Sequence, residues 1–205
     1  MKNLFITFEG LDGCGKTTQA KLLKEFFEEK NYSVFLTREP GGTPFGELIR
    51  DIILDPNNKI HPWTEALLYF SSRLENSLMI LKKLKEDYIV ICERYIDSTI
   101  AYQGYGRGLP IEELKRINNI VTFNLKPSIT FFLDLDPEIA LKRKKYLDRI
   151  EKEDIEFYNR VREGYKRIAQ EEKDRFYIIS GDLPINDIHK EIVKVILNIC
   201  IEVNI

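Results

Sequence analysis

The sequence predicts an α/β protein: a doubly wound, mainly parallel five-stranded sheet with helices on both faces. Two observations carry this expectation. Five short apolar runs are β-branched and continuous rather than alternating, as fits strands covered on both sides. Amphipathic stretches separate them, so strand and helix alternate along the chain. No repeat, low-complexity tract or linker divides the 205 residues, and a single domain over 1–205 is expected.

The elements follow in order. "LFITF" (Leu4–Phe8) is the first strand, and Ala20, Leu23, Phe26 and Phe27 mark the apolar stripe of the first helix. "SVFLT" (Ser33–Thr37) is the second strand. Arg50 and Arg73 sit on helices after it, the longer spanning Glu65–Lys85. "YIVIC" (Tyr88–Cys92) is the third strand, followed by the polar, glycine-bearing stretch "ERYIDSTIAYQGYGRG" (Glu93–Gly108), read as a loop that wraps closely round a ligand. Helix Glu112–Phe123, strand "ITFFLDL" (Ile129–Leu135) and helices Glu138–Lys145 and Glu153–Lys173 come next. Strand "FYIIS" (Phe176–Ser180) and helix Asp187–Val203 close the series.

Composition narrows the function classes. A net charge of −2 and a pI near 5.9 offer no global basic field for nucleic acid. The three cysteines, Cys14, Cys92 and Cys200, form neither a metal spacing nor a disulfide framework, which fits a reducing cytoplasm. "MKNLFITFEG" turns acidic and glycine-rich too early for a signal peptide. No apolar run approaches the roughly 20 residues of a membrane span, so a soluble, cytoplasmic chain is expected.

The strongest motif follows the first strand. Gly10-Leu11-Asp12-Gly13-Cys14-Gly15-Lys16-Thr17 matches G-x-x-x-x-G-K-[ST], with Thr18 next and an amphipathic helix beyond. Glycines let backbone N–H groups converge on phosphate oxygens, and the helix N-terminus adds positive dipole character. Lys16 is expected to reach the β- and γ-phosphates, and the Thr17 hydroxyl to hold Mg2+. This predicts a three-layer P-loop fold that binds a nucleoside triphosphate. The Cys14 thiol is assigned no role beyond fitting the loop.

A guanine clamp of the N-K-x-D type is missing, since "PNNKIHP" (Pro56–Pro62) has no aspartate at the needed place and follows no strand. A phosphotransferase with a second anion site fits better. Arg38 follows the second strand and Arg94 the third, at the strand ends where open α/β sheets bind ligands. The planar fork of arginine suits phosphate. A kinase for another nucleoside monophosphate, a deoxynucleoside kinase and a non-catalytic nucleotide switch stay open at this point.

"FEGLDGCGKTTQAKLL", "TREPGGTPFGELIR", "EALLYFSSR", "ERYIDSTIAYQGYGRG" and "PSITFFLDLDPEIALKR", in that order, resemble the bacterial thymidylate kinases. The resemblance implies transfer of the ATP γ-phosphoryl group to dTMP with Mg2+, in dTTP synthesis, by a homodimer. It also implies that Asp12 contacts the acceptor 3′-hydroxyl, and that Arg38, Arg50 and Arg94 surround the acceptor phosphate. Tyr69 and Arg73 share a helix face at i, i+4. The resemblance has the aromatic stack on thymine and the arginine bond its edge. Phenylalanine is usual at the stacking position, so Tyr69 brings an extra hydroxyl. Thr99 and Gln103 fall near the base, Ser98 is counted among the substrate-binding residues, and Tyr102 falls against C2′ of the sugar, where a ring excludes a ribose hydroxyl.

The resemblance places a mobile lid at about 141–154, where "LKRKKYLDRIEKED" gathers Lys142, Arg143, Lys144, Lys145 and Arg149. Some relatives carry a basic residue inside the P-loop. Gly13 stands there in this chain, so a lid arginine must supply the charge: Arg149 first, from its "DRIE" context, and Arg143 second. "SGDLP" (Ser180–Pro184), with Asp182, falls where the family lays backbone against adenine, and reads equally as a helix-capping turn. Glu93 stands where the family usually has an aspartate that assists Mg2+ through water.

Overall fold

The computed structural model describes residues 4–143 and 148–202. Five strands form one parallel sheet: β1 (Phe5–Glu9), β2 (Val34–Arg38), β3 (Ile89–Glu93), β4 (Ile129–Asp134) and β5 (Phe176–Ser180), in the order β2-β3-β1-β4-β5. β1, at the centre, is buried along its whole length, as its unbroken FITFE run requires. Inside the sheet, the Thr7 and Thr130 hydroxyls satisfy one another at 2.8 Å, so neither is buried unpaired.

Register brings the functional residues to one edge. Phe8 pairs with Glu93, Arg38 with Glu93, and Glu9 with Phe132. The strands run one residue further than the apolar pattern at β1, β2 and β3, so Glu9, Arg38 and Glu93 are strand-end residues rather than loop residues. Because all five strands run parallel, the loops that follow them open at that same edge.

The helices among the described residues are α1 (Lys16–Glu28), α2 (Pro44–Leu54), α3 (Pro62–Lys85), α4 (Ile96–Thr99), α5 (Ile111–Val121), α6 (Pro137–Lys142), α7 (Ile155–Glu171) and α8 (Ile185–Glu202). Their starts are chemically marked. Thr43, Asp136 and Asp154 accept from Gly46, Glu138 and Phe157 N–H groups as N-caps, and proline follows at Pro44 and Pro137. α3 ends on Lys82, Lys83 and Lys85, cations that suit a helix C-terminus. The expected helix Glu138–Lys145 ends at Lys142; Lys144 and Lys145 lie outside the described residues.

One expectation is corrected. The stretch after β3 is no wrapping loop: α4 runs straight into a π-helical turn over Ile100–Gly106. Such wide turns cluster at functional sites. The turn is buried from Ile100 to Gly104, and α7 packs on it through a missing side chain. A Cβ on Gly164 would sit 2.6 Å from the Tyr105 ring.

Candidate active site

Two cavities open along the carboxyl edge of the sheet. The larger is walled by Gly13, Gly15, Lys16, Thr17 and Thr18 on one side and by Arg38, Glu93 and Arg143 on the others. The smaller lies between α2, α3, the π-helical turn and residues 148–151. Tyr69, Ser98, Thr99, Tyr102 and Gln103 line it, and burial pushes the Tyr69 phenol up, Glu65 adding to the effect, so the ring is neutral. Asp12, Glu39, Arg50 and Arg94 belong to both walls.

In the larger cavity, the loop from Gly10 to Gly15 turns back under α1. Gly15 caps the helix in a left-handed conformation with no side-chain hydrogen bond, leaving the first amides of α1 to the cavity. Lys16 Nζ donates to the Gly10 and Leu11 carbonyls at 3.2 and 2.8 Å and stands 3.6 Å from Asp12. Leu11 and Cys14 are buried beneath the loop. Gly13 has φ +85°, and a Cβ there would lie 2.7 Å from the Ala140 carbonyl. A basic side chain at that place is incompatible with this backbone. Arg143 occupies the neighbourhood instead: Nη1 donates to the Gly13 carbonyl at 3.1 Å and the Gly181 carbonyl at 3.4 Å. Asp182, beside it, accepts from the Ser180 hydroxyl.

Arg94 joins the cavities. It holds φ +65°, a left-handed conformation that costs a non-glycine residue about 1–2 kcal/mol. Its N–H bonds the Phe8 carbonyl at 2.9 Å, and its guanidinium donates to Asp12 (2.9 Å), Tyr102 (3.2 Å), Ser98 and Tyr165 (3.3 Å each). Burial works against its charge, but Asp12 and the surrounding phenols outweigh it and hold the pKa well above the ordinary arginine value. Beneath it lies Glu9, fully buried, which accepts from the Tyr95 N–H, the Ser98 hydroxyl and the Tyr165 phenol. Burial, then Asp97, pushes its carboxyl up to about 7.

Two predicted residues, Arg73 and Arg149, are placed elsewhere, and two on the cavity walls, Arg38 and Arg50, are already engaged by protein partners. Arg73 lies behind the smaller cavity, almost fully buried. Its guanidinium donates to Glu39 (2.7 Å), Thr99 (2.6 Å), Asn118 (2.6 Å) and the Tyr95 carbonyl (2.8 Å). It therefore touches the cavity through Thr99 and Glu39 rather than forming its wall. Arg149 donates to the Ile53 carbonyl at 2.7 Å and pairs with Glu65 at 2.8 Å, away from the larger cavity. Arg38 is half-exposed and paired with Glu47 at 3.0 Å, while Arg50 donates to the Pro40 carbonyl.

Sequence reading passed over Glu9, Glu39, Glu65, Tyr165 and the acidic pair Asp148 and Glu151. For Glu9 and Glu39 a signal existed, since each is a carboxylate at or next to a strand end beside a glycine- or proline-rich turn. Glu65 and Tyr165 stand in amphipathic helices and carry no local mark.

The residues suited to a divalent cation are Thr17 and Glu93, whose Oγ1 and Oε2 lie 2.6 Å apart on the wall of the larger cavity. One hydroxyl and one carboxylate suit Mg2+, which takes few protein oxygens and completes its octahedron with water and phosphate. Among the described residues, no cluster of three or more His, Cys, Asp or Glu forms a metal cage.

Comparison with known proteins agrees with this geometry. The family model described as thymidylate kinase matches residues 8–192. The thymidylate kinase of Thermoanaerobacter sp. strain X514 is 47% identical over 199 residues, 96% of this chain and 98% of the relative. That of Caldanaerobacter subterraneus subsp. tengcongensis is 48% identical over 199 residues, 96% of each chain. The crystal structure of thymidylate kinase from Ehrlichia chaffeensis superposes with a TM-score of 0.81 at 38% identity, covering 96% of this chain and all of the other. The chain belongs to the thymidylate kinase family, the nucleoside monophosphate kinases that phosphorylate dTMP to dTDP.

Proposed function

We propose that ATP occupies the larger cavity and dTMP the smaller, and that the γ-phosphoryl group crosses at the wall they share. One observation carries this reading: Asp12, Glu39, Arg50 and Arg94 line both cavities, so two phosphates lying in them meet beside two arginines. ATP is the phosphoryl donor of this family, typically with Mg2+.

Phosphoryl transfer needs alignment and charge neutralisation more than covalent help. The Gly10–Thr18 backbone cradles the donor phosphates. Lys16, held at two carbonyls, needs only a small swing of its flexible stem to reach them. Arg94 carries the acceptor phosphate, aided by Arg50 and by Arg38 once it leaves Glu47. Tyr69 stacks on the base, and Thr99, Gln103 and Ser98 surround it. Tyr102 closes the sugar side, and Asp12 receives the 3′-hydroxyl. Arg143, on the P-loop carbonyl, is the arginine set to follow charge on the moving group. Arg149 reaches that group only by leaving Glu65. Thr17 and Glu93 would hold the Mg2+, which when bound would supply charge neutralisation for phosphoryl transfer. The attacking acceptor oxygen is already anionic, so no general base is required.

The remaining features belong to the same reading: one kinase domain with a lid at about 141–154, the Ser180–Pro184 turn with Asp182 beside adenine, a cytoplasmic enzyme of dTTP synthesis, and a homodimer. Among the described residues no helix is long and apolar enough to cross a membrane. The test is ADP release from ATP with and without dTMP. Release that rises with dTMP supports the assignment of the two cavities, whereas slow hydrolysis indifferent to it would make the chain a nucleotide switch.

A further inference from the structure

We propose that Glu65 is a positioning residue that decides which pyrimidine the smaller cavity accepts; this rests on that cavity being the dTMP site. Glu65 stands in the first turn of α3 and is 1% exposed. Its Oε1 accepts from Gln103 Nε2 at 2.8 Å. Arg107 donates to both of its oxygens at 3.2 and 3.1 Å, and Arg149 pairs with Oε2 at 2.8 Å.

A carboxylate between two guanidinium groups offers only acceptors. Gln103 must therefore turn its NH2 end toward Glu65, and the amide oxygen is the end left for the cavity it lines. Thr99, one helical turn earlier, is fixed in the complementary sense. Its oxygen accepts from Arg73 at 2.6 Å, which leaves its hydrogen free to be donated. Cavity-facing Gln103 and Thr99 thus present an acceptor beside a donor. Thymine offers N3–H and C4=O, the matching pair. Cytosine offers a lone pair at N3 and an amino group at C4, and sets two acceptors against each other at Gln103.

The direction of the Gln103 amide follows from Glu65 alone, so changing Glu65 should change the base. In E65Q the new amide can donate, Gln103 can turn over, and its NH2 can then meet cytosine N3. E65D keeps the charge for Arg107 and Arg149 but draws the carboxylate back from Gln103, which covers the case in which E65Q fails to fold. The reading is the ratio of kcat/KM for dTMP to that for dCMP, which general loss of stability does not move. A fall of about tenfold or more relative to wild type in the folded variants is expected, small beside the 10⁴–10⁵ that a hydrogen-bonding site can impose. A ratio that falls less than this in a folded variant overturns the role of Glu65. A wild-type chain that shows no preference for dTMP overturns the reading of the cavity, and this inference with it.

Discussion

Thr17 Oγ1 donates to Glu93 Oε2 at 2.6 Å, tying the first turn of α1 to the last residue of β3. The bond shows what the glutamate side chain does here: its carboxylate reaches the P-loop hydroxyl directly. Two of the oxygens suited to Mg2+ are thus held together by the protein itself.

Glu93→Gln keeps the length and removes the charge. The Mg2+ concentration giving half-maximal activity should rise about tenfold or more, by analogy with losses at metal-site partners. An unchanged Mg2+ titration with an active variant would assign Glu93 to holding Thr17 only.

Arg143 bonds the Gly13 carbonyl while Arg149 is bound to Ile53 and Glu65. Arg143→Ala should lower kcat by about 10³, the lower end for arginines that neutralise a moving phosphoryl group, with little change in KM for dTMP. Arg149→Ala should cost less in kcat. The reverse order in single-turnover rates would mean that Arg149 leaves Glu65 and does the work during the reaction.

Much of this arrangement was legible in the sequence, and the rest was not, for physical reasons. Lys16, Thr17 and Arg94 are fixed by local grammar: a glycine loop after a strand, or a charged residue directly at a strand end. Arg73 is different. Spacing puts it on the face of Tyr69, yet its orientation depends on Glu39, Thr99, Asn118 and the Tyr95 carbonyl, which lie 22 to 45 residues away. Five donors surrounded by four acceptors turn inward, and no pattern in α3 announces that. The π-helical turn was missed because Gly104, Gly106 and Gly108 resemble loop punctuation, while the close approach of Gly106 to Phe157 and Val161 of α7 and of Gly104 to Ile111 of α5 is a tertiary fact.

Glu9 gives a prediction in pH. Its carboxyl sits at about 7, above the ordinary 4.5, because burial and then Asp97 oppose its charge, while Arg94, Ser98 and the Tyr95 amide favour it. Between about pH 4.5 and 7 the folded chain keeps a proton that the unfolded chain has released. The contribution of this group to stability is therefore present below that window and lost as pH rises through it. Glu9→Gln does not titrate. Its melting temperature relative to wild type should climb from pH 4.5 to 7.5, and a flat or falling difference would refute the assignment.

Gly164 bears on the wall behind the smaller cavity. A Cβ there would meet the Tyr105 ring at 2.6 to 2.9 Å, so Gly164→Ala must push the π-helical turn away from α7. Overpacking of this kind costs about 1–3 kcal/mol. Denaturant unfolding should show that loss, accompanied by a raised KM for dTMP because Tyr102 and Gln103 ride on the displaced turn. A loss of stability with KM unchanged would show that the turn is not what positions them.

The most direct test of the whole account is the acceptor series: steady-state phosphoryl transfer from ATP to dTMP, dUMP, dCMP, dGMP and UMP under one set of conditions. The highest kcat/KM is expected for dTMP, with poor use of UMP, whose 2′-hydroxyl would meet Tyr102. A higher kcat/KM for any of the others would contradict it.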